Sequence, residues 1–553
     1  MALGTAPTEP PSKRDRRFLY LALYGSFMAG LGLRLWNLRG QVIGGDELHA
    51  VRAALRMTLP EILTTYSLTD NSIPLTALFR LWMDWGITLS ELAFRLPSIL
   101  CGLIALIAMP RAMLGKVDRV AVELYGVLLA LSPCMVLYSR IARSYMPMIL
   151  LSFGAVLAFE AWWRTRTWRY GVFYVVLAAL AVWIHLGAAP FVASPFLFAA
   201  GDLIWRRGER FARMRDLVIL GAGLGLAFAA FLLPARESLE KLIANKRREQ
   251  TIPLDTVWDV LRMEAGTPSH TVAILFWVAA LAGLVLLLRD RPRVALYTLT
   301  LAAGHLIGMR MLSPFGLGHP LVLNRYLLPV LPFILLWVAY ALRRPWVRDA
   351  GCSGRMAQRY VGTFLFLLII WTGPFLSRGF RKSSFMHHND FVGFFASRAT
   401  LPAEVVPEIY RRLPRGPVLE APWPTAWDFG RVFYIYQGIH GRRVMVSAVD
   451  LPGDPRIDLR NEVTPEPQAI LASRARTLVV HVKLPWEEDR VQVPPGRPPT
   501  RRMRPKARQD LRRAGERLAA RLAREWGPPN YADGVVRAWD LERVRAGRET
   551  SPP

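Results

Sequence analysis

The sequence predicts a polytopic α-helical membrane protein of about eleven transmembrane helices, followed by a small C-terminal α/β soluble domain, and three observations carry that prediction. Apolar runs long enough to cross about 30 Å of hydrocarbon recur from residue 18 to residue 377. Every second connection between them is strongly basic, as expected where lysine and arginine resist translocation. Beyond residue 377 the texture changes to short β-rich runs broken by proline and glycine.

Composition agrees with the first observation. A chain of 553 residues with 52% hydrophobic side chains is too apolar for a soluble assembly of that length. A net charge of +28 would suggest nucleic acid in a soluble protein. Here the basic residues gather at helix ends, so membrane lipids, and no nucleic acid, are the expected partners. Cys101, Cys134 and Cys352 fall in or beside apolar segments without metal-ligand spacing, which implies neither a disulfide framework nor a zinc site.

The predicted spans lie near 18–36, 92–114, 120–138, 145–163, 169–187, 189–205, 216–234, 271–288, 294–311, 326–342 and 360–377. The first follows Lys13, Arg14, Arg16 and Arg17 with no small-residue cleavage site before Trp36, so it reads as an anchor rather than a signal peptide. With the N-terminus cytoplasmic, the inside loops carry Arg111, Lys116 and Arg119, then Arg164, Arg166 and Arg169, then the arginines of 206–215, 289–293 and 343–359. The opposite face then receives the long loops 37–91 and 235–270, the turns near 139–144 and 312–325, and everything after 377. The expected organisation is a membrane module over 1–377 and an extracytoplasmic domain over 378–553.

Within that domain Val432–Tyr436 and Thr477–Val482 read as strands, 485–500 as a proline-rich linker and 507–526 as an amphipathic helix. The helix places Leu511, Ala514, Leu518 and Leu522 on one face. Arg512, Arg513, Arg517 and Arg521 form either a headgroup contact or a solvated face. No internal repeat of fixed period is present, unlike in many two-halved transporters.

The first outer loop contains Gly44-Gly45-Asp46-Glu47-Leu48-His49 close to the bilayer. A lower dielectric there raises a carboxyl towards usefulness as a base, while the bland reading is a solvated acid pair capping the following helix. The second outer loop adds Arg236, Lys241, Lys246, Arg247 and Arg248 on the side that the charge rule disfavours. Such a cluster either binds an anion, with Lys241 and Lys246 as point-charge phosphate contacts, or is a solvated run. His49, His319, His387 and His388 are also predicted outside without ligand spacing on a known element, so no metal ligand is assigned. His185 and His305 fall in apolar runs and read as core histidines.

Four stretches in fixed order carry a resemblance: Asp46-Glu47; Glu91-Leu92-Ala93-Phe94-Arg95-Leu96-Pro97-Ser98; Tyr138-Ser139-Arg140-Ile141-Ala142-Arg143-Ser144-Tyr145; and Arg325-Tyr326-Leu327-Leu328-Pro329. Together, over residues 1 to about 342, the chain resembles the GT-C fold glycosyltransferases that use polyprenyl-phosphate sugars. More narrowly, it is similar to the protein O-mannosyltransferase-like group that includes the bacterial lipid A aminoarabinose transferases. One departure is that the family's His-Pro-Pro element in the first outer loop reads Asp70-Asn71-Ser72-Ile73-Pro74 here, leaving Pro74 with Asn71 or Ser72 in place of the histidine.

The resemblance implies an enzyme of the bacterial inner membrane and cell envelope. It would move a sugar from a polyprenyl-phosphate donor, with inversion, to an extracytoplasmic lipid, glycan or protein acceptor. It further implies Asp46 as base with Glu47 in support. Arg140, Arg143, Tyr145 and Arg325 would hold the donor phosphate, Lys241 and Lys246 would reach it from a loop closing over the donor, and Asn71 and Pro74 would line the substrate loop. The resemblance assigns no cofactor with certainty, and a divalent metal ion is the one candidate. A secondary transporter or lipid flippase is the alternative from another class. It needs ionisable groups in mid-span, for which the candidates are Glu123, Glu160, His185 and His305.

Overall fold

The computed structural model describes residues 13–35, 47, 50, 53–54, 57–66, 72–87, 91–205, 210–246, 252–267, 269–314, 316–343, 409–414, 416–422, 444–445, 466–473, 475–483 and 505–549. The chain divides into two compact units, one of residues 1–36, 59–81 and 93–385, the other of 37–58, 82–92 and 386–553. The expected span 360–377, the strand at 432–436, the linker at 485–500 and the residues Asp46, His49, Asn71, His387 and His388 lie outside the described residues.

Helices up to residue 342 are, in chain order, α1 (Lys13–Leu35), α2 (Leu59–Leu63), α3 (Ile73–Asp84), α4 (Glu91–Met113), α5 (Arg119–Leu131), α6 (Pro133–Ser139), α7 (Tyr145–Thr165) and α8 (Trp168–Ile184). There follow α9 (Ala189–Trp205), α10 (Arg210–Leu232), α11 (Arg236–Lys246), α12 (Leu254–Ala265), α13 (His270–Asp290), α14 (Pro292–Leu312), α15 (Pro320–Leu327) and α16 (Leu331–Leu342). Among the described residues six helical segments are long and apolar enough to cross a membrane, or eight if each of two bent pairs is one span.

The two bent pairs are where the structure departs from the expected straight spans. The pair α5–α6 is bent by 54° and α15–α16 by 77°. Proline is the cause in both. Pro133 has no N–H to give to the Leu129 carbonyl four residues back, and Pro329 and Pro332 interrupt the second ladder likewise. The motif Arg325-Tyr326-Leu327-Leu328-Pro329, expected to begin a helix, instead ends α15 and forms its break.

Orphaned carbonyls in an apolar layer cost several kcal/mol each, so a break persists only where side chains replace the lost donors. Arg34, fully buried on α1, does this for the first break. Its guanidinium donates to the carbonyls of Ala130 at 3.0 Å and Leu129 at 3.4 Å and to Ser139 Oγ at 3.1 Å. His305 on α14 does it for the second, its Nε2 donating to the Tyr326 carbonyl at 2.6 Å, which fixes the proton on that nitrogen.

The ends that the sequence predicts to be cytoplasmic are tied by ion pairs. Lys116 meets Glu160, Arg166 meets Asp216, and Arg343 meets both Asp118 and Asp290 while stacking on Tyr340. Between α13 and α16 the backbones touch directly: a Cβ added at Gly283 would lie 1.8 Å from the Trp337 carbonyl oxygen. Small residues at such crossings permit close approach. Gly283→Ala is therefore expected to destabilise the folded protein by about 1–3 kcal/mol, read as a lower thermal midpoint in detergent, while Gly225→Ala, at an open position, leaves the midpoint unchanged.

The second unit is built on a five-stranded mixed sheet. Its strands β1 (Val418–Ala421), β2 (Val444–Met445), β3 (Thr477–His481), β4 (Tyr531–Ala532) and β5 (Val536–Asp540) lie in the order β2-β1-β3-β5-β4. β1 runs parallel to β2 and β3, and β5 antiparallel to β3 and β4. The expected amphipathic helix is present over Pro505–Trp526, with Leu518, Ala519 and Leu522 packed on Leu478, Val480 and Trp539. Gly515 lets it approach the sheet, since a Cβ there would lie 2.0 Å from the His481 carbonyl oxygen. On the opposite face of the helix, Arg512 and Arg521 pair with Glu516 and Glu525 one turn on.

Candidate functional site

Three of the four motifs contribute to one cluster in the first unit. The turn 140–144 joins α6 to α7, and its residues are all buried. Ser98, from the second motif, donates its hydroxyl to the Arg143 carbonyl at 2.8 Å and so fixes the turn against α4. Ser139 is drawn equally close to α4, because Gly102 has no Cβ; one added there would lie 2.3 Å from Ser139 Oγ.

Held in this way, Arg143 lies with its guanidinium carbon 5.4 Å from the centroid of the Tyr145 ring and donates to the Tyr145 hydroxyl at 3.1 Å. Arg325, in the last turn of α15, lies 5.6 Å from the same centroid. Tyr138 packs edge-on against Tyr145 at 5.2 Å, and its hydroxyl accepts from the Asn324 amide at 3.2 Å. His185, its ring centroid 5.4 Å from that of Tyr145, and Tyr326, 6.0 Å from His185, complete the aromatic wall. Gly187 permits their approach, a Cβ there lying 2.9 Å from both side chains.

Chemically the arrangement is suited to an anion. Two guanidinium groups share one tyrosine, whose ring attracts both, and their mutual repulsion falls when a negative group enters between them. Each is oriented before the ligand arrives, and a planar fork of N–H donors suits two phosphate oxygens at once. The buried turn after α6 and the last turn of α15 bring the two groups together.

The remaining expected residues are placed differently. Arg140 turns towards α1 and donates to the Leu33 carbonyl at 2.7 Å, with Arg95 close enough to repel it. Pro74 is half-buried in the first turn of α3. Lys241 is exposed on α11; Lys246 ends that helix, and its side chain lies outside the described residues. Glu47 is helical and buried, in the second unit. Among the described residues no group of three or more His, Cys, Asp or Glu is arranged to hold a metal ion.

The second long loop packs onto the segment that carries Arg325. Val260 of α12 forms a small apolar core with Leu317 and Leu323, extended by Tyr326 and Leu327. Thr256 donates to the Gly318 carbonyl at 2.8 Å. Ser238 of α11 bonds both backbone groups of Tyr66 in the first loop, at 2.7 Å and 3.0 Å. Sequence reasoning passed over Arg34, Asn324 and Glu264. A lone arginine inside an apolar helix was the available signal for the first; nothing local distinguished the other two.

No family model matches the chain, and no curated protein matches it. Among solved structures it is similar to the oligosaccharyltransferase AglB of Archaeoglobus fulgidus in complex with an inhibitory peptide and a dolichol-phosphate. That match has 11% identity and a TM-score of 0.40 over 85% of this chain and 70% of that one. It is also similar to ArnT of Cupriavidus metallidurans in the apo state, at 12% identity and a TM-score of 0.44 over 84% of this chain and 93% of that one.

Proposed function

We propose that the chain is a membrane glycosyltransferase of the GT-C type, moving a sugar from a polyprenyl-phosphate donor to an extracytoplasmic lipid, glycan or protein acceptor with inversion. What supports the reading is the pair Arg143 and Arg325 on one tyrosine inside an apolar bundle, the first in the buried turn between α6 and α7 and the second in the last turn of α15. A lipid-linked phosphate reaches such a place from within the membrane. A phosphate is already a good leaving group, so stabilising its charge matters more than protonating it. Asp46 takes the acceptor's proton, with Glu47 in support, and α11 and α12 close over the donor.

In this reading the N-terminus is cytoplasmic, and the loops 37–91 and 235–270 and the C-terminal domain are extracytoplasmic. The basic loops at 111–119, 164–169 and 289–293 support that orientation.

Donor binding to purified protein tests the proposal. A polyprenyl-phosphate sugar at a hundredfold its Kd is expected to add about 2.7 kcal/mol of stability, seen as a raised thermal midpoint, whereas the free polyprenol adds none. Absence of stabilisation by any member of a donor panel would overturn it. A transport reading draws on the two broken spans and the buried His305, since transporters place ligands at such breaks. Flux of an intact lipid-linked sugar across liposomes, with no sugar transferred to an acceptor, would favour it instead.

A further inference from the structure

Glu264 stands apart from the machinery described above. It is the penultimate residue of α12, and its side chain is only 3% exposed. Its Oε1 has no hydrogen-bond partner. It borders a small cavity of about 10 Å³, room for one water molecule, lined by Leu128, Leu131, Ser132, Pro133, Phe276 and Leu335. The cavity lies against the break between α5 and α6.

The end of α12 is fitted closely to that break. Gly266 caps the helix in the left-handed region at φ 75°, and a Cβ there would lie 2.5 Å from Pro133. The Cys134 thiol donates to the Met263 carbonyl at 3.0 Å. Through Cys134, α12 is one step from Asn324 and Tyr138, which border the arginine cluster.

Among the described residues no cation lies opposite an ionised carboxylate at this place. On α6 the titratable group facing it is Cys134, whose thiolate it would oppose. From α5, α13 and α16 it meets Leu128, Leu131, Phe276 and Leu335. Arg325 of α15 is over Tyr145, and His319 caps α15 by accepting from Leu321 N. His270 of α13 is engaged with Trp258, and Arg262 of α12 itself pairs with Asp259. The carbonyl end of the helix dipole also disfavours a negative charge.

We propose that Glu264 is a proton-binding site, and that its protonation latches α12 onto the helix break beside the arginine cluster. The latch belongs to the fold. That it regulates donor access rests on the function proposed above.

Burial pushes the Glu264 carboxyl up from 4.5 to about 8 in the docked helix. Docking therefore takes up a proton between those two values, and it is most stable below the lower one. As pH rises through the window the docked state weakens about tenfold per unit, and it levels off above the upper value.

Hydrogen exchange of the full chain in nanodiscs, corrected for intrinsic rates, reads this directly and needs no substrate. Protection of the amides of 254–265 is expected to fall about tenfold per pH unit between pH 5 and 8, and to be independent of pH in Glu264→Gln, which keeps the shape without the proton equilibrium. Dicyclohexylcarbodiimide, which attacks protonated carboxyls in apolar surroundings, is the second measurement and uses the unaltered protein. It is expected to modify Glu264 at pH 6 and not at pH 9.5. The same slope in Glu264→Gln as in the wild type, or no modification of Glu264 at pH 6, would overturn the proposal. If Glu264→Gln does not fold, the modification result alone decides.

Discussion

Replacing Arg325 by alanine is expected to lower kcat/KM for a polyprenyl-phosphate sugar by about 100- to 1,000-fold, and Arg143→Ala by a similar factor. Both guanidinium groups are held over the Tyr145 ring, so on the proposed function each loss removes a charge from the departing phosphate. Steady-state transfer from a lipid-linked donor measures it. Arg325→Lys should recover only part of the loss, since an ammonium cannot offer two parallel bonds. The double variant is expected to fall by less than the product of the two factors, because the groups serve one anion. Full activity in both single variants would remove the phosphate site.

Asp46→Asn is expected to reduce transfer by about 100- to 10,000-fold, the range over which general bases contribute, with an unchanged thermal midpoint and unchanged donor stabilisation. The amide keeps the shape of the carboxyl but cannot take the acceptor's proton. The split between binding and turnover is what separates a base from a binding group. Retention of full turnover, or loss of donor stabilisation, would assign Asp46 another part. Glu47→Gln should have the smaller effect, since it acts through its neighbour.

The bundle was legible in the sequence because a bilayer permits few solutions. A backbone in hydrocarbon must be helical or a closed barrel, and apolar runs of this length suit only helices, so they marked those of 92–113, 145–165, 270–290 and 292–312 to within a few residues. The helix over 505–526 was legible from its apolar stripe, because one face covers a sheet. The breaks were not. Pro133, Pro329 and Pro332 are visible in the sequence, yet proline is tolerated in many spans; Pro97 and Pro195 lie within unbroken helices here. What makes a break stable is a distant donor, Arg34 for one and His305 for the other, and sequence spacing does not pair residue 34 with residue 130 or residue 305 with residue 326.

The same limit applied to the site. The turn motif identified Arg140 and Arg143 together, but only packing separates them, sending one to the Leu33 carbonyl and the other to Tyr145. Arg325 could be read as a candidate, whereas its chain neighbour Asn324 could not, because the Tyr138 hydroxyl that it meets lies 186 positions earlier. Glu264 was passed over because its neighbours in the chain, Met263 and Ala265, give no sign of burial against another helix.

On the proposed function, Arg143 and Arg325 hold the phosphate of a lipid-linked sugar. Cryo-electron microscopy of the nanodisc-embedded protein saturated with a polyprenyl phosphate tests it most directly. Phosphate density is expected within hydrogen-bond reach of both guanidinium groups, with the Tyr145 ring as its floor. Density for the lipid phosphate elsewhere, with Arg143 and Arg325 still packed on Tyr145 and no ligand between them, would contradict it.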